Sequence, residues 1–165
     1  GNGTSVGAAF LAFFAGSWHV LQVDLPQEAN VTNARFGWST SLLVETSDIL
    51  LAAGAPGIDA VYVLKMNVTG DTKDASFAVN TTYPSPLANA SEFGYSVAFE
   101  PGVTLIGAPS ALGAGLAFAF EGFDRPSQHL LFSVEPEGSA SPLSRFGSSV
   151  ALGEDGAVIG APGDD

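Results

Sequence analysis

The chain has 165 residues, of which 46% are hydrophobic and only 13% charged, and its formal net charge is −12. Seventeen acidic residues against five basic ones repel nucleic-acid phosphates and anionic lipid headgroups, so neither partner is expected. The absence of cysteine excludes a disulfide framework and a thiolate metal site. Twenty glycines and ten prolines among many Val, Phe, Ala and Leu residues favour short strands over helices.

The first part of the chain carries two predicted strands, at residues 7–13 and 17–21. Their sequences parallel residues 113–119 and 127–131, which end a longer repeated unit further along the chain. Residues 1–35 are therefore predicted to supply only the third and fourth strands of one unit.

Two complete units follow, over residues 36–92 and 93–145, and a partial unit covers 146–165. Each complete unit is predicted to contain four short strands joined by turn-rich connections. The predicted strands are, in chain order, 38–44, 49–53, 60–65 and 76–80 in the first unit, 95–99, 103–106, 115–120 and 129–134 in the second, and 148–152 and 157–159 in the last.

Each of the three units from residue 36 onward opens on a Phe-Gly pair and later reaches a Gly-Ala-Pro triplet, and the triplets recur every 53 residues. A fixed period of this length is typical of a repeat architecture, so we assign these residues a structural role. Glycine permits close backbone approach, a buried Phe contributes roughly 1.5–3 kcal/mol, and proline ends the second strand. The residues are Phe36, Gly37, Gly54, Pro56, Phe93, Gly94, Gly107, Pro109, Phe146, Gly147, Gly160 and Pro162.

These motifs resemble the FG-GAP repeats of integrin α-subunit propellers, and the spacing is closer still to a compact FG-GAP class of bacterial and algal surface proteins. The resemblance covers essentially the whole chain. It implies an all-β fold, a β-propeller of four-stranded antiparallel blades, with a half blade, two whole blades and a half blade present. Because propellers typically close with four to eight blades, we expect a segment of a larger ring. Two chains completing one six-bladed ring is the alternative.

Integrin-type repeats often carry an Asp-rich calcium loop between the first and second strands. The corresponding connections here, 45–48, 100–102 and 154–156, lack three spaced acids, whereas calcium needs six to eight oxygen ligands. We therefore expect no cofactor and no metal site, with calcium binding confined to repeats outside this segment. Asp71 and Asp74 are spaced like partial ligands but follow the third strand, where a solvated turn is predicted.

Five of the six asparagines lie in Asn-x-Ser/Thr sequons, where chance predicts about one. This enrichment indicates N-glycosylation in a secretory pathway, and therefore an extracellular or cell-surface location. The predicted glycosylation sites are Asn2, Asn30, Asn67, Asn80 and Asn89.

Catalytic signatures are missing from the sequence. His19 and His129 occupy equivalent fourth-strand positions, but no base or second ligand lies at a catalytic or metal-binding spacing, so both are predicted surface residues. Trp18 and Trp38 could offer sugar-stacking platforms. Trp38, beside a seam glycine, is expected to pack between blades, and Trp18 stays open between the two roles.

Together these features predict a non-catalytic, extracellular binding or structural module of a glycoprotein. Its expected partners are proteins or glycans of an extracellular assembly, including further copies or further blades of the same protein. Membrane insertion is not expected, because the longest apolar run, 6–16, is shorter than the roughly 20 residues of a bilayer span. The alternatives are an accessory propeller of a surface hydrolase or phospholipase, and an integrin-like, cation-dependent adhesion head.

Overall fold

The computed structural model describes residues 6–14, 17–45, 48–67, 75–88, 91–122, 129–136, 141 and 143–164. This part of the chain contains twelve strands and one short 3₁₀ turn, Gln27–Ala29. The strands are β1 (Phe10–Phe14), β2 (Trp18–Gln22), β3 (Thr40–Val44), β4 (Ile49–Ala55), β5 (Ala60–Asn67), β6 (Ser76–Pro84), β7 (Ser96–Glu100), β8 (Val103–Ala108), β9 (Leu116–Glu121), β10 (Leu130–Val134), β11 (Ser149–Gly153) and β12 (Gly156–Gly160).

The strands form four antiparallel sheets, two with four strands and two with two strands. The complete sheets have the meander orders β3-β4-β5-β6 and β7-β8-β9-β10, and the hairpins β1-β2 and β11-β12 form the two small sheets. The prediction of an all-β fold with a half, two whole and a half antiparallel blade is therefore confirmed. That these blades belong to a larger closed ring stays a prediction.

The strand boundaries differ from the predicted ones by a few residues, and the largest difference is in β6, which continues from the predicted end at Asn80 to Pro84. A register shift between Val63 and Leu64 lets β6 continue beside β5 until Pro84 faces Ala60. Proline cannot donate to a strand ladder, but β6 is the edge strand of its sheet, where that loss is tolerated.

The apolar core consists of three clusters, one at each interface between consecutive sheets. Leu11 of β1 and Tyr62 of β5 belong to the first cluster, and Phe93 belongs to the second, between the two complete blades. In the third cluster, Leu105 of β8 is joined by half-buried Ile159 of β12. Each blade therefore buries its apolar surface against its neighbours, as repeat units do.

The first strands of successive blades contact one another, β3 with β7 and β7 with β11. They are the inner strands of the array, and β6 and β10 form outer edges. Because the blades repeat the same meander, every connection that leads into a first strand lies at one end of the inner strands. Every turn from a first to a second strand lies at the other end.

Candidate functional site

The glycine of each Phe-Gly pair has a left-handed backbone conformation, with φ of +80° at Gly37, +91° at Gly94 and +89° at Gly147. Glycine adopts this conformation without the steric cost that a side chain imposes. Its N–H donates to the carbonyl oxygen of the Gly-Ala-Pro glycine of the same blade, as from Gly37 to Gly54 at 2.9 Å. This bond joins the start of the first strand to the end of the second.

The glycine of each Gly-Ala-Pro triplet is surrounded too closely for a side chain. A Cβ atom at Gly54 would overlap the carbonyl oxygen of Gly94, and one at Gly107 would overlap that of Gly147. At Gly160 the overlapping atom would be the hydroxyl oxygen of Ser149. The first two positions therefore require glycine because the backbone of the next blade occupies the space.

The Phe and Pro positions of the first two motifs are buried, whereas those of the last motif are more exposed. Phe36 and Phe93 are fully buried, whereas Phe146 is half-buried. The second strands β4 and β8 end directly before Pro56 and Pro109, and β12 ends two residues before Pro162, which is exposed.

A serine of the repeat, to which the sequence analysis assigned no role, links the blades. Ser39 Oγ donates a hydrogen bond of 2.8 Å to the carbonyl oxygen of Gly94, in the next blade. Ser96 Oγ makes the same bond to Gly147, also at 2.8 Å. The signal was available in the sequence, since Phe-Gly-x-Ser occurs three times in register.

Three charged residues directly precede the Phe-Gly pairs and share an uncommon backbone conformation. Arg35, Glu92 and Arg145 have φ values of +57°, +54° and +53°. The Glu92 carboxylate lies between the two arginines, with Oε1 3.8 Å from Arg35 Nη1 and Oε2 3.5 Å from Arg145 Nη2. Ser110 Oγ donates a shorter bond, 2.6 Å, to Glu92 Oε2.

Two aromatic rings lie beside these charges, on the residue that follows each of the first two Phe-Gly pairs. The ring centroids of Trp38 and Tyr95 are 5.4 Å apart. The Arg35 guanidinium carbon lies 5.4 Å from the centroid of the Trp38 ring, and that of Arg145 lies 5.5 Å from the Tyr95 ring. We call Arg35, Trp38, Glu92, Tyr95 and Arg145 the loop-face ladder.

The loop-face ladder is accessible to solvent. Trp38 contacts Tyr95 of the next blade, so it packs across two blades, as predicted from its position. The residue is also 51% exposed and presents much of its ring to solvent. The side chains of Arg35 and Arg145 are 47% and 45% exposed. The described part of the chain contains three Lys or Arg residues. Arg35 and Arg145 are two of them, and the third, Lys65, pairs with Asp48 at the opposite end of the blades.

The two histidines belong to different blades, one in an outer strand and one directly before an outer strand. His19, in β2, stacks on the Phe13 ring at 5.4 Å, and its Nε2 lies 3.1 Å from Ser17 Oγ. His129 is exposed and lies directly before β10. Trp18, at the start of β2, is 73% exposed. The structure does not bring the histidines together with each other or with the ladder.

Three predicted glycosylation sites fall within the described residues. Asn30 lies in a connection between blades, Asn67 ends β5 and Asn80 lies in β6, and all three are exposed. Asn2 and Asn89 lie outside the described residues, as do Asp71 and Asp74.

A cleft of about 800 Å³ opens at the end of the blades opposite the ladder. Its lining includes the first-to-second-strand turns at Pro101 and Glu154, with Phe132 beside them. In the described part of the chain, no group of three or more His, Cys, Asp or Glu residues is placed to hold a metal ion. Nor does any helix there have the length and apolar character needed to cross a membrane.

The geometry defines a run of β-propeller blades joined by a repeated glycine and serine seam. The family model of the FG-GAP repeat matches residues 139–165, which include the last Phe-Gly pair and the last Gly-Ala-Pro triplet. The resemblance to FG-GAP repeats that the sequence suggested is thereby confirmed. A search of curated proteins gave no match.

Proposed function

We propose that this chain is a non-catalytic binding module of a secreted or cell-surface glycoprotein, contacting other proteins or glycans of an extracellular assembly. The observation that carries the proposal is the loop-face ladder. Two aromatic rings and two guanidinium groups lie together, partly exposed, at one end of a rigid array. Trp, Tyr and Arg are the residue types that dominate binding energy at protein interfaces.

The rigid setting of the ladder supports binding, because ordered side chains lose little conformational freedom on association. Each ladder residue adjoins a Phe-Gly pair whose glycine is hydrogen bonded within its blade. The serine bonds between Ser39 and Gly94 and between Ser96 and Gly147 fix one blade relative to the next. The ladder spans three blades, so its geometry depends on these bonds.

The sequons support an extracellular location. Asn30, Asn67 and Asn80 are exposed, as an oligosaccharide acceptor must be. Asn67 and Asn80 lie near the outer edge of one complete blade, away from the inner strands that carry the ladder. Glycans at these sites would shield an exposed sheet edge and leave the ladder accessible.

Two measurements test the proposal. The natively purified protein is weighed intact before and after N-glycosidase treatment, and a loss of several glycan masses is expected. Biotinylated protein, assembled into streptavidin tetramers so that avidity reveals weak contacts, is then applied to the cells that make it. Saturable surface staining is expected. An unchanged mass contradicts the glycoprotein assignment, and the absence of staining contradicts the binding assignment.

A further inference from the structure

We propose that the loop-face ladder binds an acidic segment of a partner protein, with Arg35 and Arg145 each contacting a carboxylate. This inference rests on the proposed binding function and names its site and its ligand chemistry. It is carried by the two guanidinium groups beside aromatic rings, by their incomplete pairing with Glu92, and by the residue types that the ladder exposes.

The two arginine side chains keep part of their surface in solvent, with 47% of Arg35 and 45% of Arg145 exposed. A guanidinium group carries five N–H donors in its plane. The Arg35 guanidinium carbon lies 5.4 Å from the centroid of the Trp38 ring and that of Arg145 lies 5.5 Å from the Tyr95 ring, so each arginine has one aromatic neighbour. Ordered guanidinium edges favour paired hydrogen bonds to a carboxylate.

Glu92 satisfies these donors only partly. Its distances to the arginine nitrogens, 3.8 Å and 3.5 Å, are longer than the roughly 2.7–2.9 Å of a strong charge-assisted hydrogen bond. Its short bond is to Ser110, at 2.6 Å. Two positive charges therefore share one carboxylate that is held by a third residue. The charged groups of the ladder sum to +1, a local exception in a chain of net charge −12, although Asp59 contacts the residues on either side of Glu92.

The same arrangement sets the spacing of the ligand. Because Arg35 and Arg145 both approach one carboxylate, their guanidinium groups are near enough for a single short segment to contact both. Arg35 contacts Trp38, Trp38 contacts Tyr95, and Tyr95 contacts Arg145. An apolar side chain of the same segment would therefore meet the two rings.

The residue types of the ladder favour a protein partner over a small saccharide. The cleft of about 800 Å³ at the opposite end of the blades has no ladder residue in its lining. Protein interfaces use exposed Trp, Tyr and Arg on open surfaces, with charged neighbours around them. The ladder has this composition.

The test uses Trp38 as its own reporter. The chain has two tryptophans, so Trp18→Phe leaves Trp38 as the only indole. This protein is titrated, at physiological ionic strength, with a random glutamate–tyrosine copolymer, and in parallel with polygalacturonate, a carboxylated glycan. The selectively excited Trp38 emission is followed. The proposal predicts a saturable change with the copolymer and binding about tenfold weaker with polygalacturonate.

Matched variants then separate the site from general charge effects. Arg35→Gln with Arg145→Gln is expected to weaken copolymer binding by about tenfold or more. Lys65→Gln removes another half-exposed cation, the partner of Asp48, from the far end of the blades and should leave binding unchanged. Melting temperatures close to that of the parent protein establish that both variants are folded.

Each contrary result overturns the proposal. These results are a titration with the copolymer that does not saturate, a double arginine variant that binds as well as the parent, and an equal loss of binding in Lys65→Gln. Equal or tighter binding of polygalacturonate would identify a carboxylated glycan as the ligand instead. If tetramers of the double arginine variant still stain cells like the wild type, the proposed binding function stands and the ladder assignment fails. If wild-type tetramers do not stain, the proposed function itself fails.

Discussion

The hydroxyl oxygen of Ser39 lies 2.8 Å from the carbonyl oxygen of Gly94, although 55 residues separate the two along the chain. Ser96 and Gly147 repeat this bond one blade further on. The accepting glycine uses its N–H within its own blade, so each junction combines one bond inside a blade with one bond between blades. The small side chains of the motif thus determine how closely the blades approach.

Removal of the buried member of this pair should weaken the junction. Ser96→Ala deletes the donor to Gly147 and leaves a carbonyl oxygen unsatisfied, which should lower the free energy of unfolding by about 1–2 kcal/mol. Ser148→Ala is the control, because that hydroxyl bonds only within its own turn, to the carbonyl oxygen of Arg145. Urea denaturation measures the free energy of unfolding of both variants, which can be compared when their m-values are equal. Equal losses in the two variants would contradict a cross-blade role for Ser96.

A methyl group at the Gly-Ala-Pro glycine should be more damaging than the loss of a hydrogen bond. In Gly107→Ala the Cβ would overlap the carbonyl oxygen of Gly147, and separating the blades should cost about 3 kcal/mol. Gly156→Ala is the matched control, because nothing lies within 4 Å of its Cβ position and its φ is not left-handed. Thermal and urea unfolding of the two variants should differ strongly. Equal stability would show that the junction can open without cost.

Asp59 should stabilise the connection into the second complete blade. Its Oδ1 accepts hydrogen bonds from Ser91 Oγ at 3.0 Å and from the Phe93 N–H at 2.9 Å, and its φ is +51°. Asp59→Ala should cost about 2–3 kcal/mol through the two lost bonds and the strained backbone. Asp59→Asn keeps an acceptor oxygen and tolerates the left-handed conformation, so it should cost clearly less. Equal costs, measured by urea unfolding, would show that the acceptor contributes nothing.

Calcium should leave the stability of this chain unchanged. The described residues include no cluster of three or more potential ligands, and the predicted connections lack three spaced acids. A ligand that binds only the folded state raises the melting temperature with its concentration. We expect the same melting temperature in millimolar calcium and in chelator, with magnesium as the control cation. A rise that follows the calcium concentration and is absent with magnesium would contradict this prediction.

Alkaline pH should destabilise the protein partly through Tyr62. Burial, and secondarily the charge of Glu28, raises the pKa of Tyr62 above 10.0. When the pH rises past that value, the unfolded chain loses the phenol proton while the folded chain keeps it, so stability falls. Tyr62→Phe should reduce the fall in unfolding free energy between about pH 9 and about pH 11. If Tyr62→Phe loses as much unfolding free energy as the parent over this pH range, Tyr62 does not contribute to the loss.

Local sequence was sufficient to predict most of the fold. The alternation of short apolar runs with turns such as Pro101-Gly102 depends on neighbours along the chain, and the twelve strands of the described residues were located from it. The spacing of the Phe-Gly and Gly-Ala-Pro motifs then indicated how the strands group into blades. Even the half-blades at both ends followed from the repeat.

Contacts between blades could not be predicted in the same way, because they join residues about one repeat apart. The sequence indicated that Gly54 needs close approach, but only the folded chain identifies the approaching atom as the carbonyl oxygen of Gly94. The role of Ser39 was missed for the same reason.

The strands, the repeat, the acidic charge and the positions of the sequons could be read from the sequence, because they depend on residue type and local spacing. Packing of the folded chain is what brings Arg35, Glu92 and Arg145 into one cluster with Trp38 and Tyr95. Within a single repeat, the sequence around each of these residues does not indicate the cluster. They meet because successive blades pack side by side in register, which brings equivalent positions of neighbouring repeats to the same end of the array.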